Sequence, residues 1–341
     1  MEEYMKKYNV VIVGALGAVG KEFRKILLQR KFPIEKIKFV DLADVGSVVE
    51  FGDMQVTVEA PSEDTFNGYD IALFSAGAGV SLEMAEKAVK AGCIVIDNSS
   101  AWRMDPSVPL VVPEVNPQDV EWHKGIIANP NCSTIQMMLP LKLIHETAKI
   151  KRLVISTYQA VSGTGVNAIQ ECLKQSLEVS QGKNASDVSV YPHQIAFNAL
   201  PHIDDFLENG YTKEEMKMVN ETRKIIGDSS IRITATAVRI PVIYSHSESL
   251  NIETEKKLTP ADVRELLQGK PGITVVDEPQ KNIYPMAIDA AGKDDVFVGR
   301  IREDESVENG INMWVVSDNI RKGAALNTIQ IGELLIKKGL V

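Results

Sequence analysis

The residues of this chain best suited to covalent chemistry sit in Pro130-Asn131-Cys132-Ser133-Thr134. Cys132 follows a Pro/Asn break and precedes an apolar run, Ile135 to Ile144, that reads as a helix. A cysteine at a helix N-terminus sees the positive end of the helix dipole and backbone N–H groups without intrahelical partners, and both favour the thiolate. One reading of Cys132 is therefore a nucleophile; the other is a buried cysteine serving as a small hydrophobe. Trp102-Arg103, after a strand ending in Asp97-Asn98-Ser99-Ser100, is either an anion-binding arginine at a ligand edge or a surface arginine in a loop. The chain's three cysteines are widely spaced and form no CxxC pair or Cys/His cluster, so no metal site is expected. An odd, scattered set fits a reducing cytosol, and a cytoplasmic protein is expected.

A strand, a glycine turn and a helix open the chain. Asn9-Val10-Val11-Ile12-Val13 reads as a buried parallel strand. It runs into Gly14-Ala15-Leu16-Gly17-Ala18-Val19-Gly20, and Val19, Phe23, Ile26 and Leu27 then fall on one helical face. That order makes a dinucleotide-binding turn, with Gly14, Leu16, Gly17, Ala18 and Val19 as its cofactor-binding positions. Glycine lets the backbone approach a pyrophosphate, and the helix N-terminus faces its charge. A second strand, Lys36 to Val40, ends at Asp41; Asp41 or Asp44 is placed to bond the ribose 2′-OH of NAD and to repel the 2′-phosphate of NADP, or is simply a solvated turn aspartate. Further strands at Asp70 to Phe74 and Ile94 to Ile96 flank a helix from Ser81 to Ala91, which predicts a doubly wound parallel sheet. Ser75 and Gly77 lie at a strand's carboxyl end, where ligands gather.

The texture changes after Leu153. A strand, Leu153 to Tyr158, leads into Gln159-Ala160-Val161-Ser162-Gly163-Thr164-Gly165 and a helix from Asn167 to Val179. Strands are expected at Ile231 to Ile240, Ser247 to Thr254, Thr274 to Asp277, Val296 to Glu303 and Met313 to Ser317, giving a mixed or antiparallel sheet. Tyr191 to Asp205 reads as a cover for a neighbour or a subunit interface. The last helix, Leu326 to Lys337, has an apolar stripe expected to return to the first domain. The predicted division is 1–130 with 318–341, and 131–317. A length of 341 residues suits two domains, and 44% hydrophobic with 24% charged residues is ordinary for a globular chain. A net charge of −9 argues against a nucleic-acid partner. The polar start, Met1 to Lys7, and the short run after it contain no signal peptide or membrane span, so no membrane is expected.

Taken together, the motifs resemble one family. The glycine turn, Asn98-Ser99-Ser100-Ala101-Trp102-Arg103, Pro130 to Thr134, Gln159 to Gly163, Arg239 with His246 seven residues on, and Asp318-Asn319-Ile320-Arg321-Lys322-Gly323-Ala324-Ala325 are similar to those of aspartate-β-semialdehyde dehydrogenases, in order from Val10 nearly to the end. The resemblance implies a Rossmann-type doubly wound parallel sheet with an α+β catalytic/dimerisation domain. It implies Cys132 as the acyl-forming nucleophile, His246 as general acid/base, and Gln159 as the residue orienting the thioester. Arg239 would hold the substrate carboxylate and Glu214 its ammonium; Arg103, Asn131 and Lys217 would hold phosphate. Ser162, Gly163 and Asn319 would line the nicotinamide. The implied reaction converts 4-aspartyl phosphate to the semialdehyde with NADPH or NADH, in a homodimer or a tetramer, on the route to lysine, diaminopimelate, threonine, methionine and isoleucine.

One segment departs from the family. Val40-Asp41-Leu42-Ala43-Asp44-Val45-Gly46 carries acids and no arginine where the 2′-phosphate of NADP is usually held, which favours NAD or dual use. Three rivals stand beside this reading. N-acetyl-γ-glutamyl-phosphate reductases place glycine before the cysteine, and glyceraldehyde-3-phosphate-type enzymes carry Ser-Cys-Thr-Thr; neither run is present. A non-catalytic dinucleotide sensor would need the glycine turn without the Cys and His pair.

Overall fold

The computed structural model describes residues 6–341, so Met1 to Met5 of the polar start lie outside the described residues. The chain divides into two compact units. The first comprises the described residues up to Asn131 together with Ala324–Val341; the second is Cys132–Gly323.

The first unit is built on β1 (Tyr8–Val13), α1 (Ala18–Gln29), β2 (Ile34–Val40), β3 (Val48–Phe51), β4 (Met54–Glu59), β5 (Ile71–Phe74), α2 (Ala78–Lys90), β6 (Ile94–Asp97) and β7 (Ile126–Ala128). Its sheet runs β3-β4-β2-β1-β5-β6-β7, with β4-β2-β1-β5-β6-β7 mutually parallel. The order reverses between β1 and β5, so the carboxyl ends of those strands form the crevice where such sheets take ligands. β5, β6 and β7 are buried along their whole length, as parallel strands covered on both faces must be. Phe23, Ile26 and Leu27 of α1 share a core with Val10, Ile12 and Phe39, and the closing helix Leu326–Lys338 adds Leu326, Ile329, Ile331 and Leu335 to it. The antiparallel hairpin β3–β4 was not foreseen. Both strands are short and largely exposed, so they bury little apolar surface and stand out weakly beside the buried strands. β7 is too short to leave a pattern.

The second unit contains α3 (Cys132–Ala148), β8 (Ile150–Gln159), α4 (Val166–Ser180), α5 (Lys213–Ile226), β9 (Arg232–Arg239), β10 (His246–Thr254), α6 (Pro260–Leu267), β11 (Ile273–Val275), α7 (Ala287–Ala290), β12 (Val296–Asp304) and β13 (Gly310–Ser317). Its sheet runs β11-β12-β13-β10-β8-β9 and is mixed: β10 is antiparallel to both β13 and β8, whereas β8–β9 and β11–β12 are parallel. Helices α3, α5 and α6 pack on this sheet. α3 is buried almost all round, which is why it reads as a plain apolar run. It starts at Cys132 itself, three residues before the expected run. In the segment expected to cover a neighbour or a subunit interface, Tyr191, Ile195 and Leu200 pack with Val161, Ala168 and Cys172 of their own unit. Phe197 in that segment, and Phe206 just after it, keep large exposed faces.

Among the described residues no helix is long and apolar enough to cross a membrane, and no group of His, Cys, Asp and Glu could hold a metal ion.

Candidate active site

In the first unit the ligand edge is made of backbone. Gly14 has φ +84°, and a Cβ there would lie 2.4 Å from the Ser75 carbonyl oxygen, so only glycine lets β1 turn over the end of β5. A Cβ on Gly20 would lie 2.2 Å from the Gly14 carbonyl oxygen, which fixes the close seating of α1 on the turn. Gly17 precedes α1 without a side-chain cap, and Gly77, at φ +83°, does the same for α2. The first N–H groups of both helices thus keep no capping side chain, which suits a pyrophosphate. Asp41 closes the turn from the end of β2: Oδ2 accepts from the Leu16 N–H at 2.9 Å, and Oδ1 accepts from Leu42 and Ala43. Asp44 is exposed and reaches no partner of this turn. These groups fit a dinucleotide: glycines for close approach, uncapped helix starts for phosphate, and a carboxylate at the position for the ribose. Arg103 is buried, donating from Nε to the Asn129 carbonyl at 2.9 Å and from Nη2 to the Asn98 carbonyl at 2.7 Å. It is a fixed interior cation rather than a surface arginine. Asn131 is also buried.

In the second unit the site is made of side chains. Cys132 is the first residue of α3 and is partly exposed, so the small-hydrophobe reading, which needs full burial, does not describe it. Gly323 lies against it; a Cβ on Gly323 would come within 2.9 Å of the Cys132 Cβ. By contrast, Cys93 is buried with its thiol pushed up to about 12 by burial and then by Asp70, and it donates to the Tyr69 carbonyl. Cys93 is thus a core residue.

His246 opens β10 and is fully buried. Its Nδ1 accepts the Ala160 N–H at 2.9 Å, which places the proton of the neutral ring on Nε2. Nε2 has no partner. Burial, and then the nearby Arg239 charge, hold the imidazole well below its ordinary 6.5. The ring is therefore neutral, with one N–H left to serve a ligand. Arg239 ends β9, side by side in register with Gln159 at the end of β8. Its Nη1 donates to the Ala160 carbonyl at 2.7 Å, while Nε is buried without a partner. A buried guanidinium with an unused donor is built for an anion. Gly163 packs against both groups: a Cβ there would sit 3.1 Å from Arg239 Nη1 and 3.4 Å from His246 Nε2.

Adjacent glutamates on α5 divide their work. Glu215 completes a capping box with Thr212 and accepts the Ala237 N–H, tying α5 to β9. Glu214 instead accepts from Gln159 Nε2 at 3.1 Å and from Lys217 Nζ at 3.2 Å. Lys217 also donates to Asp204 at 2.7 Å, a partner the sequence reading missed. Asn319 Nδ2 donates to Ser162 Oγ at 3.0 Å, and its Oδ1 accepts the Ser245 N–H at 2.9 Å. Asp318 holds the turn beneath it by accepting from Ile320, Arg321 and Gly292. Gln159, Glu214, Lys217, Arg239, His246, Ser162, Gly163 and Asn319 are thus linked by direct contacts within one unit, and Cys132 lies at the head of the helix packed on β10. Sequence reasoning held Gly323 only as part of a motif, with no role, and missed the buried Gln136 and Glu248. Glu248 could have been found: it is two residues past His246 on a strand, hence on the same face.

A nucleotide-binding parallel sheet joined to a unit with a helix-start thiol and a neutral histidine fits an NAD(P)-dependent oxidoreductase. The family description "semialdehyde dehydrogenase, NAD binding domain" matches residues 9–123, and "semialdehyde dehydrogenase, dimerisation domain" matches residues 141–322. The chain is 57% identical to the aspartate-semialdehyde dehydrogenase of Aquifex aeolicus, over 98% of this chain and 99% of that one. The structure of aspartate semialdehyde dehydrogenase II of Vibrio cholerae complexed with ASA superposes with a TM-score of 0.94 at 44% identity, covering 97% of this chain and 99% of the other. That of the Candida albicans aspartate semialdehyde dehydrogenase with NADP gives a TM-score of 0.75 at 25% identity, covering 98% and 100%. The chain belongs to the aspartate-semialdehyde dehydrogenase family, NAD(P)-dependent oxidoreductases of amino-acid biosynthesis.

Proposed function

We propose that this chain reduces 4-aspartyl phosphate to aspartate semialdehyde, and runs the reverse oxidation with phosphate. The observation that carries this reading is the buried Arg239–Gln159–Glu214 constellation beside a neutral His246. It offers one cation for a carboxylate and one carboxylate for an ammonium, the two charges of an amino acid. The first unit serves as the dinucleotide-binding domain and the second as the catalytic and dimerisation domain.

Cys132 sulfur attacks the acyl carbon; the bond to phosphate breaks, phosphate leaves, and a thioester remains on sulfur. Arg239 fixes the substrate carboxylate and Glu214 the ammonium, so the carbonyl arrives at sulfur in one orientation. Gln159, tied to Glu214, orients the thioester. The leaving phosphate is assigned to Arg103, Asn131 and Lys217. Ser162, Gly163 and Asn319 would line a bound nicotinamide, which would supply the hydride. His246 donates a hydrogen bond from Nε2 to the negatively charged oxygen of the tetrahedral adduct as it forms, and the adduct collapses to aldehyde as the carbon–sulfur bond breaks and Cys132 leaves as thiolate. The protein works as a homodimer, a reading supported by the dimerisation-domain match, and its scattered free cysteines suit the cytoplasm.

The test follows absorbance of the reduced cofactor with aspartate semialdehyde and phosphate, using NAD and NADP side by side. Phosphate-dependent reduction of either cofactor is expected. Turnover with N-acetylglutamate semialdehyde or glyceraldehyde 3-phosphate but not aspartate semialdehyde would replace this reading.

A further inference from the structure

The second unit buries two polar side chains that the reaction as assigned leaves idle. Glu248 shares a face of β10 with His246, and its register partners are Thr157 on β8 and Val315 on β13. Gln136 lies one turn past Cys132 on the same side of α3, and α3 packs on β10. Neither side chain has any exposed surface. Neither carboxyl oxygen of Glu248, and neither amide atom of Gln136, has a hydrogen-bond partner. Gln136, on the helix that packs against β10, is the side chain that draws the Glu248 carboxyl down, so the two unsatisfied groups are neighbours. Burial pushes the Glu248 carboxyl well above the usual carboxylate range, Gln136 pulls it back in part, and the charge of Glu214 pushes it up again. Two carboxyl groups that feel each other do not both ionise in an interior. Glu214 meets Gln159 and Lys217; Glu248 has no cation.

We propose that Glu248 is a positioning residue held as a neutral carboxylic acid: engaged with Gln136, it fixes the start of α3 against the start of β10, and so Cys132 against His246, and it leaves the negative charge of this face on Glu214. The O–H of the acid donates to the Gln136 carbonyl oxygen and its C=O accepts from the Gln136 amide, a planar pair that a carboxylate cannot reproduce. The titratable groups on the elements around it are these. α5 brings Glu214 and, elsewhere on the helix, Lys213, Glu215, Lys217, Glu221, Arg223 and Lys224; α3 brings Cys132 and, near its far end, Lys142, His145 and Glu146; β8 brings Lys151, Arg152 and Tyr158; β13 brings none; and β10 itself has His246 and Glu253.

The proposal rests on the reaction assigned above, and its test separates the two. Wild type, Glu248→Gln and Glu248→Leu are compared for kcat, KM for aspartate semialdehyde, the pH profile, melting temperature and the rate of Cys132 alkylation by iodoacetamide. Glutamine mimics the neutral acid, so kcat within threefold of wild type is expected. Leucine fills the space without the paired bond; at least a tenfold loss of kcat is expected, with KM within threefold and the melting temperature unchanged or raised. A folded-state carboxyl held high loses its proton as pH rises, so wild type has an alkaline fall in kcat that Glu248→Gln lacks. Equal loss in Glu248→Gln and Glu248→Leu, or wild-type kcat in Glu248→Leu, overturns the proposal. If Glu248→Leu does not fold, Gln136→Leu replaces it, with the same tenfold loss expected and wild-type kcat overturning it. If wild type itself turns over no aspartate semialdehyde, the assigned reaction fails, and alkylation decides instead. At least a threefold change in rate in Glu248→Leu and none in Glu248→Gln is then expected; equal rates in all three overturn the proposal.

Discussion

The two units prepare for ligands by opposite means. At the edge of the first, β1 and α1 meet through Gly14, Gly17 and Gly20, and what faces a ligand is N–H groups with no capping side chain. In the second, the helix that carries Glu214 is capped completely by Thr212 and Glu215, and what faces a ligand is a set of buried charged or amide side chains. A nucleotide is recognised by bare backbone because its phosphates ask for N–H groups and room. A reacting amino acid asks for groups that differ in charge, proton affinity and direction, which only side chains supply. The difference should appear on mutation: side-chain changes in the second unit ought to damage the chemical step, whereas changes at the first unit's edge ought to redistribute cofactor preference.

The strongest test of that contrast is Cys132→Ala. Turnover should vanish while the melting temperature stays near wild type, because the residue is partly exposed and heads a helix whose core lies further along. More than a few per cent of residual activity would remove Cys132 from the nucleophile's role. His246→Asn comes next, with an expected loss of about two to four orders of magnitude in kcat for a missing acid/base. The wild-type profile carries further information. Because burial and Arg239 hold the ring below its ordinary 6.5, it gains its inhibiting proton only in acid, so kcat should persist below pH 6.5 where an exposed histidine would already be half charged. A midpoint at or above 6.5 in the acid limb of kcat would contradict the neutral ring inferred from the Ala160 bond.

Arg239→Lys should act more mildly and mainly on binding. An ammonium can replace the charge but not the planar fork, so KM for aspartate semialdehyde should rise by about tenfold or more, the order of one charge-assisted hydrogen bond. An unchanged KM would mean that the unused Nε donor serves something other than substrate.

The same contrast explains what could be read from the sequence. Val10 to Val13 followed by Gly14, Gly17 and Gly20 announces its own geometry, since glycine at such spacing has few other uses and the strand is apolar throughout. The first sheet's parallel core was legible for that reason, while its charged edge hairpin was not. In the second unit the side chains around His246 come from β8, β9, β10 and α5, far apart in the chain, and no local pattern ties Gln159 to Glu214 or Arg239 to Ala160. Only a resemblance of several motifs in order could gather them. Glu248 stands between the two cases: its place two residues past His246 puts it on that face of β10, but its burial without a cation is a property of the packed sheet alone.

Asp41 is where the two means meet, because its carboxylate serves the backbone and bears a charge. Oδ2 holds the Leu16 N–H and Oδ1 holds Leu42 and Ala43, so one task is to clamp the glycine turn. If it also faces the ribose, it favours a free 2′-OH over a 2′-phosphate, and the segment from Val40 to Gly46 has no arginine to reverse that. The kcat/KM ratio of NADPH over NADH is therefore expected to stay below about a hundred, equivalent to roughly 2.7 kcal/mol of discrimination. Asp41→Asn keeps an oxygen for the Leu16 N–H and removes the charge. It should move the ratio toward NADPH by about three- to tenfold, the scale of one partly solvated charge interaction. Both ratios come from initial rates at limiting cofactor. A ratio unmoved by the substitution would leave Asp41 as a clamp alone, and the first unit's edge would then be backbone in function as well as in structure.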